Sequence, residues 1–272
     1  MRRLLLFILP AAAALFGIAG TTGAQHLDVP YVPTPYDVVD AMLDVTGVGP
    51  GDYVIDLGSG DGRIVIAAAQ RGAFGHGIDL NPVRVKEAEE NASNARVNDR
   101  VVFIEGDLFE ADISNATVIT MYLLSSVNLR LKPVLLEVLK PGTRIVSHSF
   151  SMGRWEADEH LVIDNRHVYY WVIPANARGR WGWSTNGRGF SMEVNQEYQK
   201  ITVNLSAGGR PLTIENPSLN GERISFTALD RSSGERYVFS GSVNDGTIDG
   251  KALIRGTNSR IVENWSATLT GR

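Results

Sequence analysis

Three carboxylic acids stand where they could share one ligand. Asp56 ends an apolar run and is followed by the alternating glycines Gly58 and Gly60. Two further acids, Asp79 and Asp107, each follow another apolar run. Glycines let the backbone approach a ligand without obstruction by a Cβ, and the N–H groups at the start of a following helix attract an anionic group. Because carboxylates accept hydrogen bonds from hydroxyl and amino groups, this pattern predicts a site for a small polar ligand.

The glycine spacing argues against two common chemistries. A dinucleotide-binding loop has the pattern Gly-x-Gly-x-x-Gly, whereas here the third glycine is Gly62 and the expected place holds Arg63. The Gly-x-Ser-x-Gly elbow of serine hydrolases is missing as well, since Ser59 is flanked directly by Gly58 and Gly60. Hydride transfer and Ser-His-Asp hydrolysis are therefore disfavoured.

Short apolar runs alternate with helix-like segments through the first two thirds of the chain, which is typical of an α/β protein with a parallel sheet. The predicted strands are Tyr53–Leu57, Gly75–Asp79, Val101–Glu105, Val118–Tyr122, Arg144–His148 and Val168–Ile173. The predicted helices are Tyr36–Thr46, Gly62–Arg71, Pro82–Arg96 and Ser126–Leu139. Right-handed crossovers make such a sheet doubly wound, and the three acids would then meet at its carboxyl edge.

The last third of the chain changes to the apolar–polar alternation of β-strands. Turn pairs lie between such runs at hairpin spacing: Asn220-Gly221, Ser233-Gly234 and Asp245-Gly246. We expect a small antiparallel β meander or barrel-like domain over residues 181–272. A linker at Pro174–Arg180 would join it to an α/β domain over residues 25–180.

The first 24 residues have the layout of a secretory signal. Arg2 and Arg3 precede an apolar stretch, Leu4–Ala19, and small or polar residues follow up to Ala24. The apolar stretch is short for a membrane helix, and Pro10 interrupts it. We expect cleavage after Ala24 and an exported or periplasmic protein. The alternative is an uncleaved segment that anchors the chain to the membrane, and membrane contact is expected only there.

Charge and cysteine content narrow the possible partners. With 26 Lys and Arg against 30 Asp and Glu, the 272-residue chain has a formal net charge of -4 and no overall basic character suited to nucleic acid. There is no cysteine, and the five histidines show no metal-ligand spacing. Thiol chemistry, disulfides and a zinc site are therefore not expected.

The segment from Asp56 to Gly62 resembles the first motif of class I S-adenosylmethionine (AdoMet) methyltransferases, whose fold is a Rossmann-like doubly wound sheet. The resemblance implies AdoMet as cofactor and a set of residues around its methionine end: Asp56, Gly58, Ser59 and Gly60. It further implies that Asp79 binds the ribose hydroxyls and that Asp107 binds the adenine amino group. Leu108 would flank the adenine ring.

A closer similarity lies upstream. The segment Pro30–Pro35 is similar to a Tyr-Val-Pro segment in the family that contains the mitochondrial lysine methyltransferases acting on the c-ring protein of ATP synthase, together with their bacterial relatives. Further matches, at Met121–Leu124 and Lys140–Arg144, extend the similarity over residues 30–173. It implies that Tyr31 and Thr34 close over the cofactor and that the methyl acceptor is a protein lysine. A proline-rich linker is the alternative interpretation of residues 30–35.

Two residues are candidates for orienting or deprotonating the methyl acceptor. The end of the fourth strand lies beside the transferring methyl group in this fold, which implies that Tyr122 orients or walls the acceptor. His148 ends the fifth predicted strand, and its ordinary pKa suits a proton acceptor near neutral pH. The alternative for His148 is a hydrogen-bonded strand-end histidine. The Asn- or Asp-Pro-Pro-aromatic signature of enzymes that methylate nucleic-acid amino groups is missing, so no nucleic-acid partner is expected.

We therefore expect an AdoMet-dependent methyltransferase that acts on a protein lysine. Two alternatives stay open. One is an exported, non-catalytic binding or structural protein on the same scaffold. The other is a small-molecule methyltransferase whose β-rich tail serves as a lid or a hydrophobic cup. The expected export conflicts with cofactor supply, because AdoMet is made in the cytoplasm.

Overall fold

The part of the chain that the structure describes contains two β-sheets. This structure is a computed structural model, and it describes residues 31–185, 187–256 and 259–272. The signal segment expected at residues 1–24 lies outside the described residues. In those described ranges, no helix combines the length and the apolar character that crossing a membrane requires.

The first sheet contains, in the described residues, seven strands: β1 (Tyr53–Leu57), β2 (Phe74–Asp79), β3 (Val101–Glu105), β4 (Val118–Met121), β5 (Arg144–His148), β6 (Glu159–Ile163) and β7 (Arg166–Val172). Their order across the sheet is β3-β2-β1-β4-β5-β7-β6. Strands β1 to β5 pair in parallel, whereas β7 runs antiparallel to β5 and β6 runs antiparallel to β7. The winding direction changes between β1 and β4, which is where ligands bind in open α/β sheets.

The helices that flank this sheet in the described chain are α1 (Tyr36–Thr46), α2 (Arg63–Gln70), α3 (Pro82–Asn94) and α4 (Ser125–Val138). Apolar side chains pack α1, α2 and α3 on one face and α4 on the other. Local sequence fixes the helix ends. The Asn81 side chain accepts a hydrogen bond from the Val83 N–H at the start of α3, and Gly47 takes a left-handed conformation after α1. We call the first sheet and these helices the α/β domain.

The predicted α/β fold is confirmed, with each predicted element present and its ends within two residues. Tyr122 follows β4 instead of ending it. The sequence pattern misses β6, because most of its side chains are exposed and the polar residues Glu159 and His160 interrupt the apolar pattern. The available signal was the turn Asp164-Asn165, in which both residues have positive φ and join β6 to β7 as a hairpin.

The second sheet contains, within the described chain, nine strands: β8 (Gly179–Thr185), β9 (Arg188–Glu197), β10 (Lys200–Ala207), β11 (Arg210–Pro211), β12 (Thr213–Asn220), β13 (Arg223–Leu229), β14 (Arg236–Asn244), β15 (Thr247–Arg255) and β16 (Arg260–Gly271). All pairs are antiparallel, in the order β11-β10-β9-β8-β16-β15-β14-β13-β12. Only Leu212 separates the two edge strands in sequence, and its N–H donates to the Leu205 carbonyl at 2.9 Å. The sheet therefore nearly closes on itself, as expected, and we call it the barrel.

Aromatic side chains fill the interior of the barrel. The rings of Trp183, Phe190, Phe226, Phe239 and Trp265 pack there, with centroids of contacting pairs 5.0–6.3 Å apart. These rings occupy the space that a hydrophobic ligand cup would need. The packed rings therefore argue against that role for the tail.

The turns of the barrel lie where the sequence predicts them. The segment expected to be a linker, however, is packed and partly belongs to β8. The predicted turn pairs join β12 to β13, β13 to β14 and β14 to β15. In the segment expected to be a linker, Ala175 and Ala177 are buried in the barrel core, and β8 already begins at Gly179. The connection is therefore packed against the barrel because its small apolar side chains complete the core.

Candidate functional site

A cavity of about 270 Å³ opens at the carboxyl edge of the first sheet, where β1, β2 and β4 end. Ten of the eleven residues singled out from the sequence line this cavity: Tyr31, Thr34, Asp56, Gly58, Ser59, Gly60, Asp79, Asp107, Leu108 and Tyr122. The eleventh, His148, lies behind the cavity wall in contact with Tyr122. The parallel topology thus brings together side chains that are far apart in the sequence.

The loop from β1 to α2 turns through left-handed glycines. Gly58, Gly60 and Gly62 have φ angles of 79°, 53° and 79°, a region that residues with a Cβ rarely adopt. A Cβ on Gly60 would lie 2.5 Å from a ring atom of Tyr31, and one on Gly62 would lie 2.6 Å from the Phe103 ring. Backbone conformation and close packing therefore both require the alternating glycines.

Asp79 ties this loop to the end of β2. Its Oδ2 accepts a hydrogen bond from the Gly60 N–H at 2.8 Å, and its Oδ1 accepts one from the Asn81 N–H at 2.9 Å. A carboxylate has about four acceptor positions, so this side chain can still accept hydrogen bonds from two ligand hydroxyls. Its place in the cavity fits the ribose contact that the family resemblance implies.

Asp56 is buried at the end of β1, where its carboxylate accepts a hydrogen bond from the Thr120 hydroxyl at 2.7 Å. Burial raises the pKa of Asp56 to about 7, and the charges of Asp79 and Asp61 act in the same direction. Nearby, the hydroxyl oxygen of Ser59 is buried and has no hydrogen-bond partner among the described residues. A positively charged ligand group beside Asp56 would offset its burial by stabilising the ionised form.

Asp107 and Leu108 line the cavity beyond the end of β3. The Oδ1 atom of Asp107 accepts a hydrogen bond from the Phe109 N–H at 2.9 Å, and so stabilises the turn that follows the strand. One carboxylate oxygen is enough for this contact. The same side chain can therefore also accept a hydrogen bond from a ligand amino group.

The N-terminal segment of the described chain crosses the glycine loop. The Tyr31 ring lies under the guanidinium group of Arg84, with 4.6 Å from the ring centroid to Cζ. Arg63 donates a hydrogen bond to the Thr34 carbonyl at 2.9 Å and forms an ion pair with Asp61 at 2.5 Å. Burial favours the neutral form of Asp61, but the hydrogen bonds and charge of Arg63 outweigh it and lower the pKa. The segment is thus anchored, unlike a free proline-rich linker.

Tyr122 faces the cavity, and the ring of His148 lies against it with centroids 3.9 Å apart. The Thr34 hydroxyl and His148 Nδ1 form a hydrogen bond at 3.2 Å. Burial lowers the pKa of His148 to about 4, and the charge of Arg166 adds to this effect. Burial thus disfavours His148 as a proton acceptor near neutral pH and favours the alternative, a hydrogen-bonded strand-end histidine, which here packs against Tyr122.

Arg84 and Phe150 are among the residues of the cavity wall that the sequence interpretation misses. Arg84 could have been found from its place in the first turn of a helix that follows an acidic strand end. No local pattern marks Phe150, whose carbonyl accepts hydrogen bonds from Ser147 Oγ at 2.7 Å and Asn128 Nδ2 at 3.0 Å. Its position depends on the packing of α4 against β5.

The cavity combines carboxylates, apolar walls and the Ser59 hydroxyl, which has no partner in the described part of the chain. Asp56 and Asp79 supply the negative charge, and the rings of Tyr122 and Phe150, with centroids 6.2 Å apart, supply part of the apolar wall. This set fits a nucleoside that carries a positively charged group, which is the chemistry of AdoMet. The residues present therefore fit the cofactor that the resemblance implies.

Comparisons with known proteins point in the same direction. A family model described as the ANTKMT methyltransferase domain matches residues 56–159. A protein-lysine N-methyltransferase of Saccharolobus islandicus is 46% identical over 151 residues, which are 53% of this chain and 94% of that protein. The mouse adenine nucleotide translocase lysine N-methyltransferase is 36% identical over 132 residues, which are 48% of this chain and 57% of that protein.

One similar protein has a solved structure that contains a bound ligand. It is described as an RNA methyltransferase from Salinibacter ruber in complex with S-adenosyl-L-homocysteine, and it is 55% identical in the matched region with a TM-score of 0.53. The match covers 53% of this chain and 95% of that one. All of these similar proteins are described as methyltransferases, and each match covers about half of this chain.

Proposed function

The chain belongs to the family of AdoMet-dependent methyltransferases that includes the Saccharolobus islandicus protein-lysine N-methyltransferase, and on this premise we propose that it methylates the side-chain amine of a protein lysine. The observation that carries the proposal is the cavity at the carboxyl edge of the first sheet. It joins the carboxylates of Asp56 and Asp79 to an aromatic wall formed by Tyr122 and Phe150.

AdoMet, when bound, supplies a methyl group on a positively charged sulfur. Asp79 would hold the ribose hydroxyls, Asp107 would hold the adenine amino group, and Asp56 would face the positive charge. Tyr31 and Thr34 would close over the ligand. The contacts of Arg84 and Arg63 support this role for the segment, because they hold it against the glycine loop.

The acceptor amine must lose its proton before it can act as a nucleophile. A free lysine amine has a pKa of about 10.4, and an apolar environment lowers it because burial disfavours the charged form. Tyr122 and Phe150 offer such an environment and exclude water, so that transfer can depend mainly on alignment of the amine. No dedicated base is required. His148, buried with a pKa of about 4, is assigned no part in the proton transfer.

A protein lysine is favoured over an RNA base as the acceptor. The similar Salinibacter ruber protein is described as an RNA methyltransferase, whereas the Saccharolobus and mouse relatives are described as lysine methyltransferases. The net charge of this chain is -4, which opposes binding of a polyanion. Residues Met121–Leu124 also lack the Pro-Pro-aromatic signature of enzymes that methylate nucleic-acid amino groups.

A transfer assay with AdoMet labelled in its methyl group tests this proposal. The full-length chain is incubated with separate protein and RNA fractions of a bacterial extract, and labelled protein is hydrolysed for amino-acid analysis. We expect the label in methyllysine, and we expect Asp79→Ala to abolish most of it. Glu105→Gln, at an exposed acid on the neighbouring strand end, is the matched control. Label in RNA, or in neither fraction, would contradict the proposal.

We also propose, from the sequence pattern alone, that the chain is exported or held at the membrane through residues 1–24. Arg2, Arg3 and the apolar stretch Leu4–Ala19 support this location. An exported protein would have to meet AdoMet outside the cytoplasm or leave the cytoplasm folded with its ligand, whereas an anchored chain that faces the cytoplasm would meet AdoMet there. Cell fractionation of a chain with a C-terminal tag should recover it in the periplasm or the membrane. Recovery in the cytoplasm alone would refute export.

A further inference from the structure

One contact between the barrel and the α/β domain is made by a hairpin turn of the barrel. Tyr198 and Gln199 join β9 to β10, and this turn packs on Trp155, in the segment between β5 and β6. The Tyr198 ring stacks on the Trp155 indole with centroids 5.7 Å apart and an interplanar angle of 18°. Trp155 is completely buried. A residue of the barrel thus helps to bury the central side chain of this segment.

Gln199 holds the same segment through hydrogen bonds in both directions. Its Oε1 accepts a hydrogen bond from Trp155 Nε1 at 2.9 Å. Its Nε2 donates to the Glu156 carbonyl at 2.8 Å and to Asp158 Oδ1 at 3.2 Å. Asp158 accepts a further hydrogen bond from the Val172 N–H at 2.8 Å. One amide side chain of the barrel therefore fixes three residues between β5 and β6.

Two charged contacts accompany the turn. Lys132 of α4 lies 5.5 Å from the Tyr198 ring centroid and donates to the Met152 carbonyl at 3.3 Å. Lys200 forms an ion pair with Glu156, and both side chains are exposed. Exposed ion pairs and cation–π contacts contribute little individually. The ring stacking and the Gln199 hydrogen bonds therefore dominate the contact.

Tyr198 occupies its position at a conformational cost. Its φ is +53°, in the left-handed region that a bulky side chain rarely enters. The corresponding turns elsewhere in the barrel place glycine at positive φ, as at Gly221, Gly234 and Gly246. What a tyrosine adds over glycine is the ring on Trp155. Strain that the surroundings hold in place is concentrated at functional positions.

The segment that the turn holds begins with a residue of the cavity wall. Phe150 lines the cavity. Two residues after it, Met152 forms a β-bridge with Trp155. The Trp155 carbonyl accepts a hydrogen bond from Trp171 Nε1 at 3.0 Å. The segment is therefore held by the α/β domain at Phe150, and at Trp155 by both the α/β domain and the barrel.

We propose that Tyr198 and Gln199 are positioning residues for methyl transfer, which fix residues 150–158 and so set the Phe150 wall against which the acceptor lysine is aligned. The inference rests on the proposed function, because it states how the acceptor side of the same site is built. It gives the barrel a part in the reaction although aromatic rings fill its interior. In a site that works by alignment, a displacement of about 1 Å lowers the rate by up to about 100-fold.

Two substitutions in the full-length chain separate the contribution of the ring from that of the amide. Tyr198→Asn removes the ring but suits a left-handed φ, so the turn itself keeps or gains stability. Gln199→Ala removes the hydrogen bonds to the segment. With S-adenosylhomocysteine bound, we expect the amides of residues 152–157 to exchange hydrogen about tenfold faster in both variants. Unchanged exchange at these amides would overturn the proposal.

The kinetic measurement separates the two substrates. With the protein acceptor found by the transfer assay, we expect kcat/KM for the acceptor to fall by about 10- to 100-fold in both variants. The calorimetric affinity for S-adenosylhomocysteine should stay within about twofold, because its binding residues lie apart from the turn. Faster exchange with unchanged acceptor kinetics would overturn the positioning role. A parallel loss of S-adenosylhomocysteine affinity would indicate general destabilisation and overturn it as well.

Asp245→Asn is the matched control. Asp245 lies in the exposed turn between β14 and β15, and asparagine before Gly246 preserves the turn. Exchange at residues 152–157 and transfer kinetics should both stay as in the wild type. If the wild-type chain transfers no methyl group, the proposed function fails, whereas the exchange measurement still decides whether the turn fixes the segment.

Discussion

Two polar clusters, the Arg188 network of the barrel and the cavity of the α/β domain, differ in how far their groups satisfy one another. In the barrel, Arg188 forms an ion pair with Asp230 at 2.5 Å and donates to the Tyr237 hydroxyl at 2.7 Å. That hydroxyl in turn donates to Glu235 at 2.8 Å. Donors and acceptors of this network satisfy one another, so it stabilises the barrel without needing a ligand.

In the cavity of the α/β domain, by contrast, polar groups of the described residues are left without fully matching partners. Asp56 is buried beside a neutral hydroxyl, that of Thr120, and its pKa is raised to about 7. The Ser59 hydroxyl is buried without a partner among the described residues. Buried polar groups left in this state cost stability unless a ligand completes them. We therefore expect changes in the barrel interior to act on stability, and changes at the cavity to act on binding or rate.

The largest effect is expected from Phe239→Ala in the barrel interior. Phe239 is completely buried and contacts several other rings, so its truncation should lower the free energy of unfolding by about 3–5 kcal/mol. Chemical denaturation measures this loss. Calorimetry on the folded variant should show unchanged AdoMet affinity, and a weakened affinity would contradict the division between the two regions.

Asp79→Ala should mainly weaken ligand binding, whereas Phe239→Ala should mainly lower stability. Loss of charge-assisted hydrogen bonds to the ligand should weaken AdoMet binding by about 1.5–3 kcal/mol. The global unfolding free energy should change less, since the N–H groups of Gly60 and Asn81 that lose their acceptor lie beside an open cavity. Calorimetric titration and denaturation of the same preparation compare the two quantities. Equal AdoMet affinity in variant and wild type would remove Asp79 from the site.

A pH dependence should distinguish Asp56 from the matched polar groups of the barrel. Because the pKa of Asp56 is raised from 3.8 to about 7, the ligand-free protein should lose stability as the pH rises between those values. Cationic AdoMet prefers the ionised carboxylate, so its affinity should be about tenfold lower at pH 6 than at pH 8. Titrations at both pH values, with Asp56→Asn as the control, check this. A variant with the same pH dependence as the wild type would exclude Asp56 as its source.

The smallest effect is expected from Tyr122→Phe. If the hydroxyl orients the acceptor through a neutral hydrogen bond, the transfer rate should fall by about 2- to 10-fold, while AdoMet affinity stays unchanged. Steady-state kinetics with labelled AdoMet measure both quantities. Equal rates in the variant and the wild type would reduce Tyr122 to an apolar wall of the cavity.

Local sequence signals were enough to predict most of the fold and many of the residues that line the cavity. Glycine alternation after β1, the Asn81 cap before α3 and the turn pairs of the barrel each act over a few residues, so they can be recognised from the sequence. Parallel pairing then sends the ends of β1, β2 and β4 to one edge. For this reason, acids at successive strand ends were enough to predict where a ligand site lies.

Three features needed the tertiary structure. The pKa of His148 depends on its burial behind Tyr122 and on the charge of Arg166, neither of which is near it in sequence. The packed connection at Ala177 depends on closure of the barrel. The contact between Tyr198 and Trp155 joins two domains across 43 residues.

The sequence by itself thus determined most elements of the α/β domain and where the strand-end acids lie, because backbone preferences and side-chain alternation are local. Only the tertiary structure decided how the acceptor wall is supported. Burial, ring stacking and the hydrogen bonds of Gln199 exist only after distant segments have packed, and no pattern within one segment encodes them.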